Sequence, residues 1–81
     1  RPDLIALTGD YSKGNDSGII DIVVVGNTDK SNLDRYIASA EKKIDRKVRY
    51  LLLTMEEWEK LKEKISKDGM LIIWEANNQH S

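Results

Sequence analysis

The hydrophobic and polar positions divide the chain into short apolar runs and two stretches with helical spacing. Four runs are too short for buried helices and rich in β-branched and aliphatic residues, which predicts strands. They are Leu4–Leu7, Ile19–Val25, Val48–Leu53 and Met70–Trp74. The second run is apolar at both sets of alternating positions apart from one aspartate, so it is predicted to be the central strand.

Two stretches repeat apolar residues every three or four positions, which is typical of amphipathic helices. The first covers about Lys30–Ile44, and its apolar positions are Leu33, Tyr36, Ile37, Ala40 and Ile44. Its first turn has three candidate caps, which are Thr28, Asp29 and Ser31. The second follows a capping-box pattern of Thr54 and Glu57, and its apolar positions are Trp58, Leu61 and Ile65.

The order of the elements is strand, loop, strand, helix, strand, helix, strand. This order predicts an α/β (α+β) fold in which two helices pack on a small mixed sheet of about four strands. The segment from Thr8 to Gly18 contains three glycines and is predicted to be a loop with at most one helical turn. We expect one domain over residues 1–76 and a disordered tail over residues 77–81.

Composition limits the functions open to the chain. Of its 81 residues 40% are hydrophobic, and 13 Lys and Arg residues oppose 14 Asp and Glu residues, so the formal net charge is -1. No overall positive field therefore attracts nucleic acid. The chain has no cysteine, which excludes disulfides and thiolate chemistry. Its apolar runs are far shorter than a membrane span, so we expect a cytoplasmic protein without a membrane partner.

Asp21 is the one residue that conflicts with its surroundings, because it is a carboxylate within an apolar strand. Burying an ionised carboxylate without a partner is costly. We therefore expect Asp21 to lie near the end of the sheet, to pair with a base or an amide, or to bind a cation. The simplest of these arrangements is that the amides of the glycine-rich loop donate hydrogen bonds to it.

The loop after the first strand, Gly9–Gly14, reads GDYSKG. A glycine turn with free backbone amides can face an anion such as a phosphate. This turn is not a Walker A loop, because Gly14 is followed by Asn15 and Asp16 rather than by Lys and then Ser or Thr. A plain connection between two strands is the alternative interpretation.

Two segments, Leu7–Gly14 (LTGDYSKG) and Ile19–Gly26 (IIDIVVVG), together resemble the core signature of the DNA polymerase β-like nucleotidyltransferase superfamily, and its minimal members most of all. In active members a Gly-Ser turn and a second glycine precede Ser-Asp-x-Asp at the start of an apolar strand. The two carboxylates lie on one face of the strand, about 7 Å apart along the backbone, and jointly hold cations that bridge the nucleotide phosphates. The resemblance implies a nucleotidyltransferase-like fold.

The chain departs from this pattern at essential positions. Asp21 matches the second aspartate, but Ile19 stands in place of the first. Asp10 stands where the serine should be, and an acidic residue there repels phosphate. The resemblance therefore implies no catalytic residue and no cofactor, a vestigial metal position at Asp21, and a vestigial phosphate or nucleotide site made of Gly9, Asp10, Ser12, Lys13 and Gly14.

The resemblance extends over most of the chain. The segments GNTD after the second strand, AEKKI in the first helix, RKVRY and TMEEW are similar to a branch of these domains fused behind a winged-helix DNA-binding module in prokaryotic transcriptional regulators. In that branch catalysis is lost. The resemblance implies a regulatory or oligomerisation module that forms a homodimer and reaches DNA only through a missing N-terminal module, and we expect the start at Arg1 to mark a fragment of a longer chain.

Two other functions stay open at this point. An active, Mg-dependent nucleotidyltransferase would keep Asp21 as a metal ligand and recruit Asp10 or Asp16, so these carboxylates would have to converge on one cation. The third carboxylate of active members has no counterpart in Val48–Leu53. The other function is an antitoxin partner of a helical toxin, a pairing known for minimal nucleotidyltransferases.

Other features carry secondary predictions. The run Met70–Trp74 would be hazardous as an open edge, so we expect a helix, a neighbouring strand or a second subunit to cover it. Trp58 is expected in the core, and Trp74 in the core or at a dimer surface. His80 is alone in a polar tail, so no Ser-His-Asp or zinc site is expected around it. A basic cluster could meet an acidic partner or a phosphate, but the expected arrangement is a solvated helix end and strand start; its residues are Lys42, Lys43, Arg46, Lys47 and Arg49.

Overall fold

The computed structural model describes residues 2–76, so the predicted tail and His80 lie outside the described residues. The elements follow the predicted order. The segment predicted to be a loop with at most one helical turn contains a short 3-10 helix over Gly9–Lys13. The strands are β1 (Leu4–Thr8), β2 (Ile19–Val25), β3 (Lys47–Leu53) and β4 (Met70–Glu75), and the helices are α1 (Lys30–Ile44) and α2 (Met55–Ser66).

The four strands form one mixed sheet in the order β3-β2-β1-β4. β1 pairs antiparallel with both β2 and β4, whereas β2 and β3 are parallel because the helix α1 connects them as a crossover. The predicted fold class, a small mixed sheet with two packed helices, is confirmed. The predicted central position of β2 is also confirmed, since β2 lies between β1 and β3.

The two helices pack on opposite faces of the sheet. Trp58 of α2 is 4% exposed, as predicted for a core residue, and packs in a buried cluster with Leu4, Ala6, Val23, Val25 and Leu53. The alternate positions of β2 face the other way, where Val24 is buried beside Leu33 of α1. Within residues 2–76, no helix has the length and the apolar character that crossing a membrane requires.

α1 buries only part of its predicted apolar stripe. Leu33 is buried, but Tyr36 is 73% exposed. Hydrogen bonds to Tyr50 and Val48 hold α1 over β3. A helix is about 10 Å wide and adjacent strands are about 4.8 Å apart, so α1 covers roughly two of the four strands. A groove of about 700 Å³ therefore remains open between α1 and strands β1 and β2.

β4 is an edge strand that is covered along one side only. A neighbouring strand is one of the expected forms of cover, and β1 pairs with β4 along one edge. Four consecutive residues, Leu71–Trp74, are nevertheless 40% to 52% exposed. Trp74 is among them, so of its two predicted places, the core or a dimer surface, the core does not apply. The reason is geometric, because one helix on each face cannot cover four strands.

The predicted capping box at the start of α2 is confirmed. Thr54 Oγ1 accepts from the amide of Glu57 at 3.1 Å, and the Glu57 carboxylate accepts from the amide of Thr54 at 2.8 Å. Thr54→Ala is expected to lower the free energy of unfolding by about 1 kcal/mol, since it removes the side-chain acceptor. Urea denaturation measures this loss. Ser39→Ala, at an exposed position within α1, is the control and should stay within about 0.5 kcal/mol of wild type; equal losses would contradict the capping role.

Candidate functional site

The loop Gly9–Gly14, where the resemblance predicts a vestigial phosphate site, bonds several of its polar groups within the fold. Ser12 Oγ donates to the carbonyl of Gly9 at 2.6 Å. The amide of Gly14 donates to the carbonyl of Tyr11 at 3.1 Å, and the amide of Gly9 donates to the carbonyl of Gly69 at 3.1 Å. The hydroxyl and both glycine amides are therefore already bonded within the chain.

Gly69 lets this loop approach the turn before β4 closely. Its φ is +99°, and a Cβ at this position would lie 2.7 Å from Ser12 Oγ and 2.8 Å from Lys13 Cε. A side chain at this position would displace the side chains of Ser12 and Lys13 and would be strained at this φ. The hydrogen bond from the amide of Gly9 to the carbonyl of Gly69 ties the loop to the turn before β4.

Asp21 pairs with Arg49 of the neighbouring strand, which is its register partner in the parallel pair β2/β3. Arg49 Nε donates to Asp21 Oδ1 at 2.7 Å, and Arg49 Nη2 donates to Asp21 Oδ2 at 3.0 Å, so the contact is bidentate. Asp21 raises the pKa of the Arg49 guanidinium above its ordinary value. The expected pairing with a base is found, whereas the expectation that the loop amides bind Asp21 is wrong, because the strand register supplies a charged donor instead.

A second ion pair ties the end of the loop to the start of β3. Arg46 Nη2 donates to Asp16 Oδ2 at 2.6 Å, and Asp16 Oδ1 accepts from the amide of Gly18 at 2.9 Å. The basic cluster is solvated as predicted, since the side chains of Arg46 and Arg49 are 37% and 62% exposed, and each of these arginines also forms an ion pair within the chain. Parallel pairing of β2 and β3 brings these two arginines next to the acidic residues before and within β2.

The Asp16–Arg46 pair is expected to make stability fall at acid pH. The hydrogen bond from Arg46, together with that from the amide of Gly18, lowers the pKa of Asp16 below 3.8. A lowered pKa in the folded state means that this contribution is present above the unfolded pKa and is lost as the pH falls through the folded pKa. Asp16→Asn should therefore narrow the difference in urea midpoint between neutral pH and pH 3.

The matched control for this prediction is Asp10→Asn, which removes the same charge from an exposed position in the same loop. Its difference in urea midpoint between the two pH values should stay closer to that of wild type. If Asp16→Asn and Asp10→Asn changed the difference equally, the effect would come from net charge and not from the pair.

Two of the carboxylates that an active enzyme would need are paired with arginines. Asp16 is held by Arg46, and Asp21 is held by Arg49. Throughout residues 2–76, no group of three or more His, Asp or Glu side chains is arranged to hold a metal ion. Ile19 lies on the same face of β2 as Asp21 and contributes only hydrocarbon. The residues present therefore do not fit the metal pair of active nucleotidyltransferases.

A cleft of about 380 Å³ adjoins the Asp21–Arg49 pair. This volume is within the range of small-molecule sites. Its charged lining consists of two carboxylates, Asp21 and Asp68, and one guanidinium, Arg49. A phosphate that entered without a cation would meet an excess of negative charge, which opposes its binding.

The sequence identified Asp21 but missed its partner Arg49. The sequence does contain one indication of this pair, since Asp21 and Arg49 are each the third residue of their strands. Equal positions indicate neighbours only if the two strands are parallel and begin in register, which the sequence does not show. Gly69 gave no such signal, because its closeness to Ser12 depends on the path of the chain after α2.

Comparison of the chain with protein-family models, with curated proteins and with solved structures finds no match. The likeness to nucleotidyltransferases therefore rests on the sequence pattern alone. What the site can do has to be argued from its own residues.

Proposed function

We propose that the chain is a catalytically degenerate nucleotidyltransferase-like domain that serves as a regulatory and oligomerisation module of a prokaryotic transcriptional regulator in the cytoplasm. The observation that carries the proposal is the bidentate contact of Arg49 with Asp21. Asp21 is the one acidic residue that the sequence pattern retains at a metal position, and the guanidinium engages both of its oxygens.

A cation at Asp21 would compete with Arg49 for these oxygens, because each oxygen already accepts a hydrogen bond. The guanidinium would also lie beside a cation of like charge in the same cleft, which is unfavourable. Two-metal catalysis also needs ligands for a second ion, and the side chain of Ile19 cannot supply one. A binding or structural role is the function that these residues support best.

Label transfer tests the loss of catalysis. The chain is incubated with Mg²⁺ and labelled ATP, GTP or CTP, and incorporation into protein, RNA and small acceptors is measured. Asp21→Asn is the control, because it removes the charge of the retained carboxylate with little change in shape. We expect wild type and Asp21→Asn to give the same background. Transfer by wild type that disappears in Asp21→Asn would overturn the proposal.

The regulatory role has a separate test in the coding sequence upstream of Arg1. We expect it to encode a helix-turn-helix module that contacts DNA. A transmembrane segment or a catalytic domain in that place would contradict the role in transcription and would leave the loss of catalysis untouched.

A further inference from the structure

β4 is the less protected of the two edge strands. Within the part of the chain that the structure describes, β4 hydrogen-bonds only to β1, so its other edge is open. The run Met70–Trp74 has no charged residue. The other edge strand, β3, carries the charged residues Lys47 and Arg49, and charges of this kind discourage pairing with a foreign strand. β4 therefore presents an apolar edge without this protection.

The hydrogen bonds of β4 show which backbone groups point to the open edge. The carbonyl of Gly69 accepts from the amide of Gly9, so Gly69 faces β1. Backbone direction alternates along an antiparallel strand, so the backbone of Leu71 also faces β1. The amides and carbonyls of Met70 and Ile72 then point away from the sheet, toward the open edge.

We propose that β4 pairs antiparallel with β4 of a second copy of the chain, about a two-fold axis at Leu71. In this register the outward groups of Met70 exchange hydrogen bonds with those of Ile72 of the partner subunit. The two Leu71 side chains then form a pair without hydrogen bonds between their backbones. This inference rests on the oligomerisation part of the proposed function and names the surface that performs it.

The side chains of β4 are complementary to those of a second β4 on both faces of the extended sheet. Met70 and Ile72 lie on one face and Leu71 lies on the other, since side chains alternate along a strand. A two-fold axis at Leu71 therefore places apolar side chains opposite apolar side chains over Met70–Ile72. It also puts Glu75 of the two copies at opposite ends of the pair, whereas parallel pairing would set these like charges side by side.

An irregularity in β4 limits the pairing to a short segment. Ile72 pairs with Ala6 and Trp74 pairs with Ile5, so Ile73 is an extra residue that forms a bulge. A bulge bends its strand and increases the local twist. The regular part that remains, Met70–Ile72, is the part centred on the proposed axis. A two-fold pair of this kind is closed, so it stops at the dimer.

Cysteine cross-linking tests the axis directly, because the chain has no cysteine of its own. In a pair without backbone hydrogen bonds the two Cα atoms are about 4.5 Å apart, which a disulfide can bridge. Leu71→Cys should therefore give a disulfide-linked dimer on mild oxidation. Leu51→Cys is the matched control, since Leu51 lies in the other edge strand and is 49% exposed against 52% for Leu71. Equal cross-linking at both positions, or none at Leu71→Cys, would overturn the proposal.

Sedimentation equilibrium of the 81-residue chain supplies the second test. Wild type should be a reversible dimer, and Leu71→Lys should weaken dimerisation roughly tenfold or more, because it sets two positive charges face to face. Leu51→Lys should dimerise as wild type does. Circular dichroism confirms that both variants fold. A monomeric wild type, or an equal effect of Leu51→Lys, which indicates head-to-tail pairing of β4 with β3, would overturn the proposal.

The two proposals fail in different ways. A monomer without label transfer would overturn the β4 dimer together with the oligomerisation role, and it would leave the loss of catalysis unaffected. A β4 dimer that transfers label would overturn the loss of catalysis and leave the β4 dimer unaffected.

Discussion

Trp58→Ala is expected to lower the free energy of unfolding by about 3 to 5 kcal/mol. The indole is 4% exposed and joins α2 to the buried cluster on β1, β2 and β3, which includes Leu4, Val23 and Leu53. Domains of this size have a total stability of roughly 4 to 12 kcal/mol. The variant should therefore be close to unfolded at room temperature. Urea denaturation followed by circular dichroism measures the loss.

The control for this variant is Leu61→Ala, which lies in the same helix but is 37% exposed. It removes less buried surface, so we expect a loss of no more than about 1 kcal/mol. If the two substitutions were equally costly, the core would not be organised around Trp58.

The double variant Ile19→Asp, Arg49→Ala is expected to bind Mg²⁺ or Mn²⁺ at least about tenfold more tightly than wild type, a difference of about 1.4 kcal/mol. The substitutions free Asp21 from its guanidinium and add a second carboxylate at the alternate position of β2. These positions share one face of the strand and are about 7 Å apart along the backbone. Isothermal titration calorimetry with each cation measures the gain.

The two single variants separate the causes. Arg49→Ala leaves one free carboxylate, and Ile19→Asp leaves Asp21 paired with Arg49, so each should bind more weakly than the double variant. A double variant that bound no better than wild type would show that the ion pair and the missing carboxylate are not what keep cations away from β2.

Much of the fold could be predicted because it follows from the local spacing of apolar and capping residues. The spacing of apolar residues gave the helix over Lys30–Ile44 with the bounds that the structure has. The pattern of Thr54 and Glu57 gave the start of α2, and the helical position of Trp58 gave its burial. Each of these features depends on residues within one or two turns of each other.

The site could be predicted only in part because it depends on residues distant in sequence. Asp21 stood out through its own strand, but its partner is 28 residues away and becomes a neighbour through the register of β2 and β3. Tyr36 has the spacing of a core residue, yet it is exposed because α1 covers only part of the sheet. Periodicity gives the direction of a side chain and says nothing of what covers it.

Paramagnetic broadening by Mn²⁺ in the presence of ATP tests most directly whether the retained carboxylate can hold a metal and nucleotide. For the wild-type chain we predict that the amide signals of Asp21 and Ile22 lose no more intensity than they do in Asp21→Asn at the same Mn²⁺ concentration. Selective loss of these signals in wild type, deepened by ATP and absent in Asp21→Asn, would contradict a degenerate site.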